Sequence, residues 1–480
     1  MRNRKRAFLA LPAVLLVTAP VFAQSAPTSA GYPWKPGALS ELQWKPAALE
    51  RTKSDFDPDR IYTLAELIDI AESHNPQTRV AWERARAEAA LVGVARSALY
   101  PTLAAVVLAD STRQRVLVGS TFYRQTLETV QPALAVDYTI FDSGVRRAQI
   151  ELSKANLLSA NLNFNSTHLQ IILRVTHSYY RVLRASGEQS AAEANLVSAR
   201  TAQDSVESRL KAGLATLPDA LQARAATAQA GYELASVKGE EDIARGELAT
   251  ALGMAPTISV NVQDIRQIPI PDAMIEPVEQ MIDRALNQRP DLLARVAKLR
   301  TSEAEIQKAR AAFGPTLHVS GNVGYLTAYG AQDPLPGLRS GGETWGARVD
   351  IEWNVFDRHA RREQLVRAQA ARDEAQARLQ TARDDAADRV WMAYSNERTS
   401  LRRRESAASL LEAAEESYSA TLDAYRYGVR NFVDVAVAQR TLAQARTFDV
   451  TARTQVLEDY AQLAFETGDL LRTPAAVRRQ

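Results

Sequence analysis

The same text is written twice in this chain. "KAGLATLPDALQAR" (211–224) and "RYGVRNFVDVAVAQ" (426–439) each run from a basic residue through one spacer to a glycine, then to an aspartate and an alanine-rich amphipathic stretch. Gly213 and Gly428 stand 215 residues apart, and so do Asp219 and Asp434. The match extends well beyond these stretches. Residues 73–103 align with 287–317, setting Pro76 over Pro290 and Pro101 over Pro315. "AVDYTIFDSG" (135–144) aligns with "DIEWNVFDRH" (350–359), and "ATALGM" (249–254) with "AFETGD" (464–469), Gly253 over Gly468. An offset that stays at 214–215 with hardly a gap means one long unit duplicated whole, not a short-period solenoid. Whatever the unit folds into, the protein holds two of it.

Each unit needs long helices. From Arg358 to Tyr427 there is no glycine or proline, which allows ~100 Å of helix at ~1.5 Å per residue. From Val145 to Ala212 only Gly187 interrupts. Ala155, Leu158, Leu162, Leu169, Ile172, Tyr179 and Leu183 follow a mean period near 3.5, the spacing of helices wound around each other. Asn165 and Thr176 fall on the same seam, so it is not a dry leucine zipper. A second helix is expected from about Asn431 to Thr467. Gly213 and Gly428 are then the left-handed terminators at the tips of two helical hairpins.

Each unit also needs strands. "ETWGARVDIEWNVFD" (343–357) alternates, with Trp345, Ala347, Val349, Ile351, Trp353 and Val355 on one face. Arg348, Asp350 and Glu352 lie on the other. Strands are expected at about 102–115 and 130–141 in the first unit, and at about 316–326 and 344–356 in the second. Ten or so residues is the length of a tilted transmembrane β-strand. A soluble sheet with one solvated face alternates in the same way. The apolar-out, charged-in pattern and the start of the chain together tip the reading toward the membrane. "MRNRKRAFLALPAVLLVTAPVFAQ" has the charged, apolar and small-residue regions of a signal peptide, 1–23, so the protein is expected to be exported. No later run of ~20 apolar residues follows.

The domain plan expected is therefore a signal peptide, 1–23; an extended segment, 24–61; a first repeat, 62–254; a linker, 255–275; a second repeat, 276–470; and a tail, 471–480. The extended segment carries WKP twice, at Trp34 and Trp44, and is expected to lie along the outside near the waist. Four strands do not close a barrel, and lipid tolerates no open sheet edge. The chain must share its barrel with other copies; two, three or four fit this argument equally.

At this point the chain resembles the TolC-like outer-membrane factor family. Duplicated halves, two strand pairs and two long helical hairpins carry the resemblance, and "AYRYGVRNFVDVAVAQRTLAQA" (424–445) is similar to that family's second-hairpin signature. It covers about residues 62 to 470. It implies an α+β, mostly α fold in a homotrimer. Four strands per chain would make a shared 12-stranded barrel in outer-membrane lipid, continued by a coiled-coil α-helical tunnel across the periplasm. It also implies a periplasmic adaptor and an inner-membrane pump as partners. Asp434 matches the position whose aspartates ring the periplasmic entrance. Tyr425 and Arg430 match positions that bond across to the first hairpin and hold the entrance closed, and Asp219 matches their acidic partner. Gly213 and Gly428 mark the tips that would meet the adaptor. Two departures stand out. Val437 occupies a place where some members carry a second acid, and Pro218 removes a backbone donor beside Asp219.

Enzyme chemistry finds no support. The five histidines make no HExxH spacing, and there is no GxxxxGK loop or GxSxG elbow. No cofactor is expected. His177 reads as an interhelical packing residue and "LRRRE" (401–405) as a solvated helix face. The absence of cysteine excludes disulfides, thiolate metal sites and cysteine catalysis. A net charge of +2 gives no case for nucleic acid. Three functions fit these residues: an efflux duct for small molecules, the duct of a type I protein secretion system, and a non-pore periplasmic coiled-coil or adaptor protein.

Overall fold

The computed structural model describes residues 57, 60–270, 276–332 and 335–471. All belong to one of the two units into which the chain divides, Lys53–Gln480. The signal peptide, the 24–60 segment apart from Asp57 and Arg60, and the tail after 471 lie outside the described residues.

The duplication sets the element order. The first half runs β1 (Ile61–Tyr62), α1 (Leu64–His74), α2 (Pro76–Ser97), β2 (Thr102–Val118), β3 (Thr121–Phe141), α3 (Val145–Lys211) and α4 (Leu217–Ala251). The second runs β4 (Asn261–Val262), α5 (Val278–Gln288), α6 (Pro290–Ala311), β5 (Thr316–Gln332), β6 (Leu335–Glu352), α7 (Ala360–Arg426) and α8 (Phe432–Thr467). β1 and β4 pair in parallel and tie the halves together. The stretch expected as a linker thus supplies β4, and its Val260 and Ile265 are buried.

The long helices start and stop by the same local chemistry in both halves. Asp142 Oδ2 accepts from the Arg146 backbone N–H at 2.7 Å and its Nε at 2.9 Å. Asp357 does the same for Arg361, at 3.1 and 2.6 Å. Each aspartate therefore satisfies an orphan donor at a helix start and pairs with a cation one turn on. Both 67-residue helices, α3 and α7, run unbroken for ~100 Å. Gly187 lies inside α3 and is no interruption; a Cβ there would meet Val450 Cγ1 of α8 at 2.6 Å, so glycine permits close helix contact. His177 Nε2 lies 3.2 Å from Gln462 Oε1, an α3–α8 contact. Along the α3 seam, Leu169, Ile172, Thr176, Tyr179 and Leu183 are buried, whereas Leu158 and Asn165 are exposed.

One core joins α1, α3 and α4 with the segment around β4, and a second fills the hairpin ends. Beneath α5, Arg289 is buried against Glu466. Its Nη1 also donates to the Glu466 carbonyl at 3.2 Å, while Asn75 donates to the Ala251 carbonyl at 3.2 Å. These two bonds are one bond of the duplicated unit.

The sheet order is β2-β3-β5-β6, antiparallel throughout. Its register places Leu103, Val136, Gly321 and Ala347 in one row, and Ala105, Leu134, Val323 and Trp345 in another. These rows share one face with Val319, Val349, Leu317 and Ile351. The other face carries Asp137, His318, Ser320, Asn322, Arg348 and Asp350. The apolar face is bare: Leu103, Trp345, Val349 and Ile351 are all exposed. The strands outrun the expected spans at the hairpin ends, because backbone pairing continues after the apolar alternation stops. At the other end β6 falls short. It stops at Glu352 instead of about 356, since its partner begins at Thr316, just after a proline with no N–H to give. Trp353 instead donates its Nε1–H to the Phe313 carbonyl at 3.1 Å. Among the described residues no helix is long and apolar enough to cross a membrane.

Candidate functional site

The two hairpin tips pack as one cluster. Gly213 and Gly428 sit at φ of 71° and 79°, a region only glycine enters without penalty. Leu214 N–H bonds the Arg209 carbonyl at 2.8 Å and Gly213 N–H the Leu210 carbonyl at 3.0 Å. Val429 and Gly428 do the same with Ala424 and Tyr425, both at 2.9 Å. These are paired Schellman closures. The next helices then begin on side-chain caps. Thr216 accepts from the Asp219 N–H while Asp219 Oδ2 takes the Thr216 N–H at 3.1 Å and its hydroxyl at 2.6 Å, a reciprocal capping box. Asn431 Oδ1 accepts from the Asp434 N–H at 3.0 Å.

The expected site residues are thus all at the tips, but their partners within one chain differ from a simple cross-hairpin latch. Arg430 pairs with Asp434, one turn on, at 3.6 Å, and both are exposed to a third or more. Asp219 is engaged through Oδ2 with Thr216. Pro218 falls in the first turn of α4, where its missing N–H would have no helical partner in any case. Val437 is exposed beside this surface, together with Val429 and Val433.

Tyr425 is buried, stacked edge-on against Phe432 at 6.0 Å. Its hydroxyl meets no hydrogen-bond partner among the described residues. Burial pushes its pKa up; the Arg209 guanidinium opposes this and Asp219 adds to it. Both hairpins' charges therefore reach Tyr425.

Arg209 makes a cross-hairpin contact at the tips. Its guanidinium lies over the Tyr425 ring, 4.9 Å from the centroid, and Nη1 donates to the Arg426 carbonyl at 3.0 Å. It ties the end of α3 to the end of α7. No sequence signal marks it, because the matching place in the second half is Ala424. Thr216 and Asn431, by contrast, stand at matching places 215 residues apart and cap the two second helices.

Comparison with known proteins gives this arrangement a context. The model for outer membrane efflux proteins matches residues 67–254 and 281–469, one match to each half. Protein CyaE of Bordetella pertussis is 26% identical over 86% of this chain and 86% of its own length. The pyoverdine export outer membrane protein OpmQ of Pseudomonas putida is 26% identical over 84% of each. Among solved structures, the outer-membrane channel OprN superposes with a TM-score of 0.73 at 23% identity, covering 88% of this chain and 95% of that one. The fold class expected from the sequence is the one found. It is mostly α and duplicated, with four strands per chain for a shared outer-membrane barrel and long coiled-coil helices.

Proposed function

We propose, for a chain that belongs to the outer membrane efflux protein family, that three copies close one 12-stranded barrel and conduct small molecules passively outward. It is a family of efflux proteins, not of enzymes, placed in the outer membrane and extending into the periplasm. The observation that carries the pore reading is the four-stranded sheet. One face is bare and apolar but for Glu343, the other polar, and the outer edges of β2 and β6 are unpaired among the described residues. Such a sheet is stable in lipid only when its edges meet those of other copies. The helical hairpins run from the same end of the sheet and supply the walls of a periplasmic duct. Energy comes from an inner-membrane pump, reached through a periplasmic adaptor that meets the tips around Gly213 and Gly428. The pyoverdine export named for OpmQ supports a small-molecule cargo.

In this reading Asp434 lines the mouth. Symmetry copies of one exposed carboxylate near the axis attract cations and narrow the pore. Tyr425 and Arg430, with Asp219, hold the tips together until the adaptor binds.

Single-channel recording of the assembled protein in a planar bilayer tests this, with and without Asp434→Ala. A small conductance blocked by multivalent cations, with the block relieved by the substitution, is expected. Absence of channels from folded protein would refute the pore; a block indifferent to Asp434 would move the constriction elsewhere.

A further inference from the structure

The arginines at the hairpin end of the sheet all face the same way. The mostly apolar face runs from the row of Leu317 and Ile351 to the row of Ala109, Val130, Thr327 and Gly341, and its one acid is Glu343, exposed in the row of Val107, Pro132 and Tyr325 just below that upper edge. Ten residues span ~33 Å of strand, or ~25 Å of height at a tilt of ~40°. That is the thickness of the lipid-facing band of an outer-membrane barrel. The next rows on this same outer face carry Arg339 on β6, Arg113 on β2, and Arg115 directly opposite Arg124 on β2 and β3. Over these rows the inner face holds Thr112, Gln114, Gln125 and Leu127, and no basic residue among the described residues.

The four arginines begin ~5 Å above the apolar band and end ~15 Å above it. They stand at the end away from α2, α3, α6 and α7, so they lie at the outer leaflet. All four are exposed, and none has a charged or hydrogen-bonding partner among the described residues. Glu128 is the one acid in these outer rows, two strands from Arg339, and the next acid on this face is Glu343, two rows below Arg339 on β6. Like charges directly opposite in an antiparallel pair repel, so the Arg115–Arg124 pair asks for an anion between its members. A guanidinium fork matches a phosphate with two parallel hydrogen bonds. Barrel closure sets β6 of one copy beside β2 of the next, which joins the Arg339 edge to the edge bearing Arg113 and Arg115.

We infer that this rim binds the phosphate groups of a phosphorylated outer-leaflet glycolipid, with Arg115 and Arg124 holding one phosphate between them. The inference rests on outer-membrane placement and not on the cargo or the gate.

The assembled channel in detergent is titrated with lipopolysaccharide that keeps its phosphates and with the same glycolipid dephosphorylated. Binding about tenfold tighter to the phosphorylated form is expected. R115Q/R124Q should erase that preference, and R115K/R124K should keep part of it. Equal binding of both glycolipids, or an undiminished preference in R115Q/R124Q, overturns the inference. Displacement by millimolar inorganic phosphate would make this a free-phosphate site and overturn the lipid assignment. Conductance of the same preparations separates this from the pore reading. A conducting channel without the preference counts against the rim alone, and a preference in a silent channel counts against the pore alone.

Discussion

Glu397 is 1% exposed in the middle of α7, and its Oε2 meets no hydrogen-bond partner among the described residues. Loss of water, with Asp459 adding repulsion, pushes its pKa up to about 8. The folded chain therefore holds a proton that the unfolded chain releases near its ordinary value of 4.5. Between those two values the native state binds more protons, so stability falls as pH rises from 4.5 towards 8 and then levels. The loss is on the order of a few kcal/mol. Glu397→Gln should remove that slope, matching the wild type near pH 5 and melting higher near pH 8. Thermal melts of the assembled protein at the two pH values check this; an unchanged slope would mean another group titrates. Nothing in the sequence singled this residue out. A glutamate in "WMAYSNERTS" looks like any solvated helix charge, as Arg402 and Arg403 nearby are. Which face of α7 turns inward is set by α8, not by local pattern. Arg209 was hidden for the same reason, since its partners belong to another hairpin.

At the scale of elements, the duplication was legible because local chemistry repeats with it. Asp142 and Asp357, Gly213 and Gly428, and Thr216 and Asn431 each do one helix-boundary job twice. Boundaries that depend on a neighbour were less legible. The end of β6 is fixed by where β5 starts, and the extra length of β2 and β3 by their shared turn at Gly119, which sits at positive φ. Asp219 belongs to both kinds. Its Oδ2 caps α4, while Oδ1 has no hydrogen-bond partner among the described residues and is free for a second bond across the mouth. Asp219→Asn keeps an oxygen for Thr216 and removes the charge. It should raise conductance about twofold or more with hydrogen exchange at the start of α4 little changed. Asp219→Ala should in addition cost ~1 kcal/mol of local stability there. If Asp219→Asn leaves conductance at the wild-type value, Asp219 is a cap and no more.

For the molecule as a whole, the decisive question is which face of the sheet meets lipid. Alternation announced two faces but not the copy number, since unpaired edges demand partners without counting them. Ala347 and Arg348 are neighbours in β6 on opposite faces. Ala347 shares its row with Leu103, Val136 and Gly321, near the middle of the apolar band. An arginine at that depth costs ~2–4 kcal/mol per copy, and three copies in one barrel multiply the cost to ~6–12 kcal/mol. Ala347→Arg should therefore be nearly absent as assembled oligomer from the outer-membrane fraction, read by gel mobility with and without heating. Arg348→Ala removes a charge from the polar face, where its Nε pairs with Asp350 at 2.6 Å on an exposed surface. It should assemble as the wild type does and shift the pore towards cations, read as a change in reversal potential under a salt gradient. If Ala347→Arg assembles normally while Arg348→Ala does not, the faces are reversed and the polar side of the sheet meets lipid.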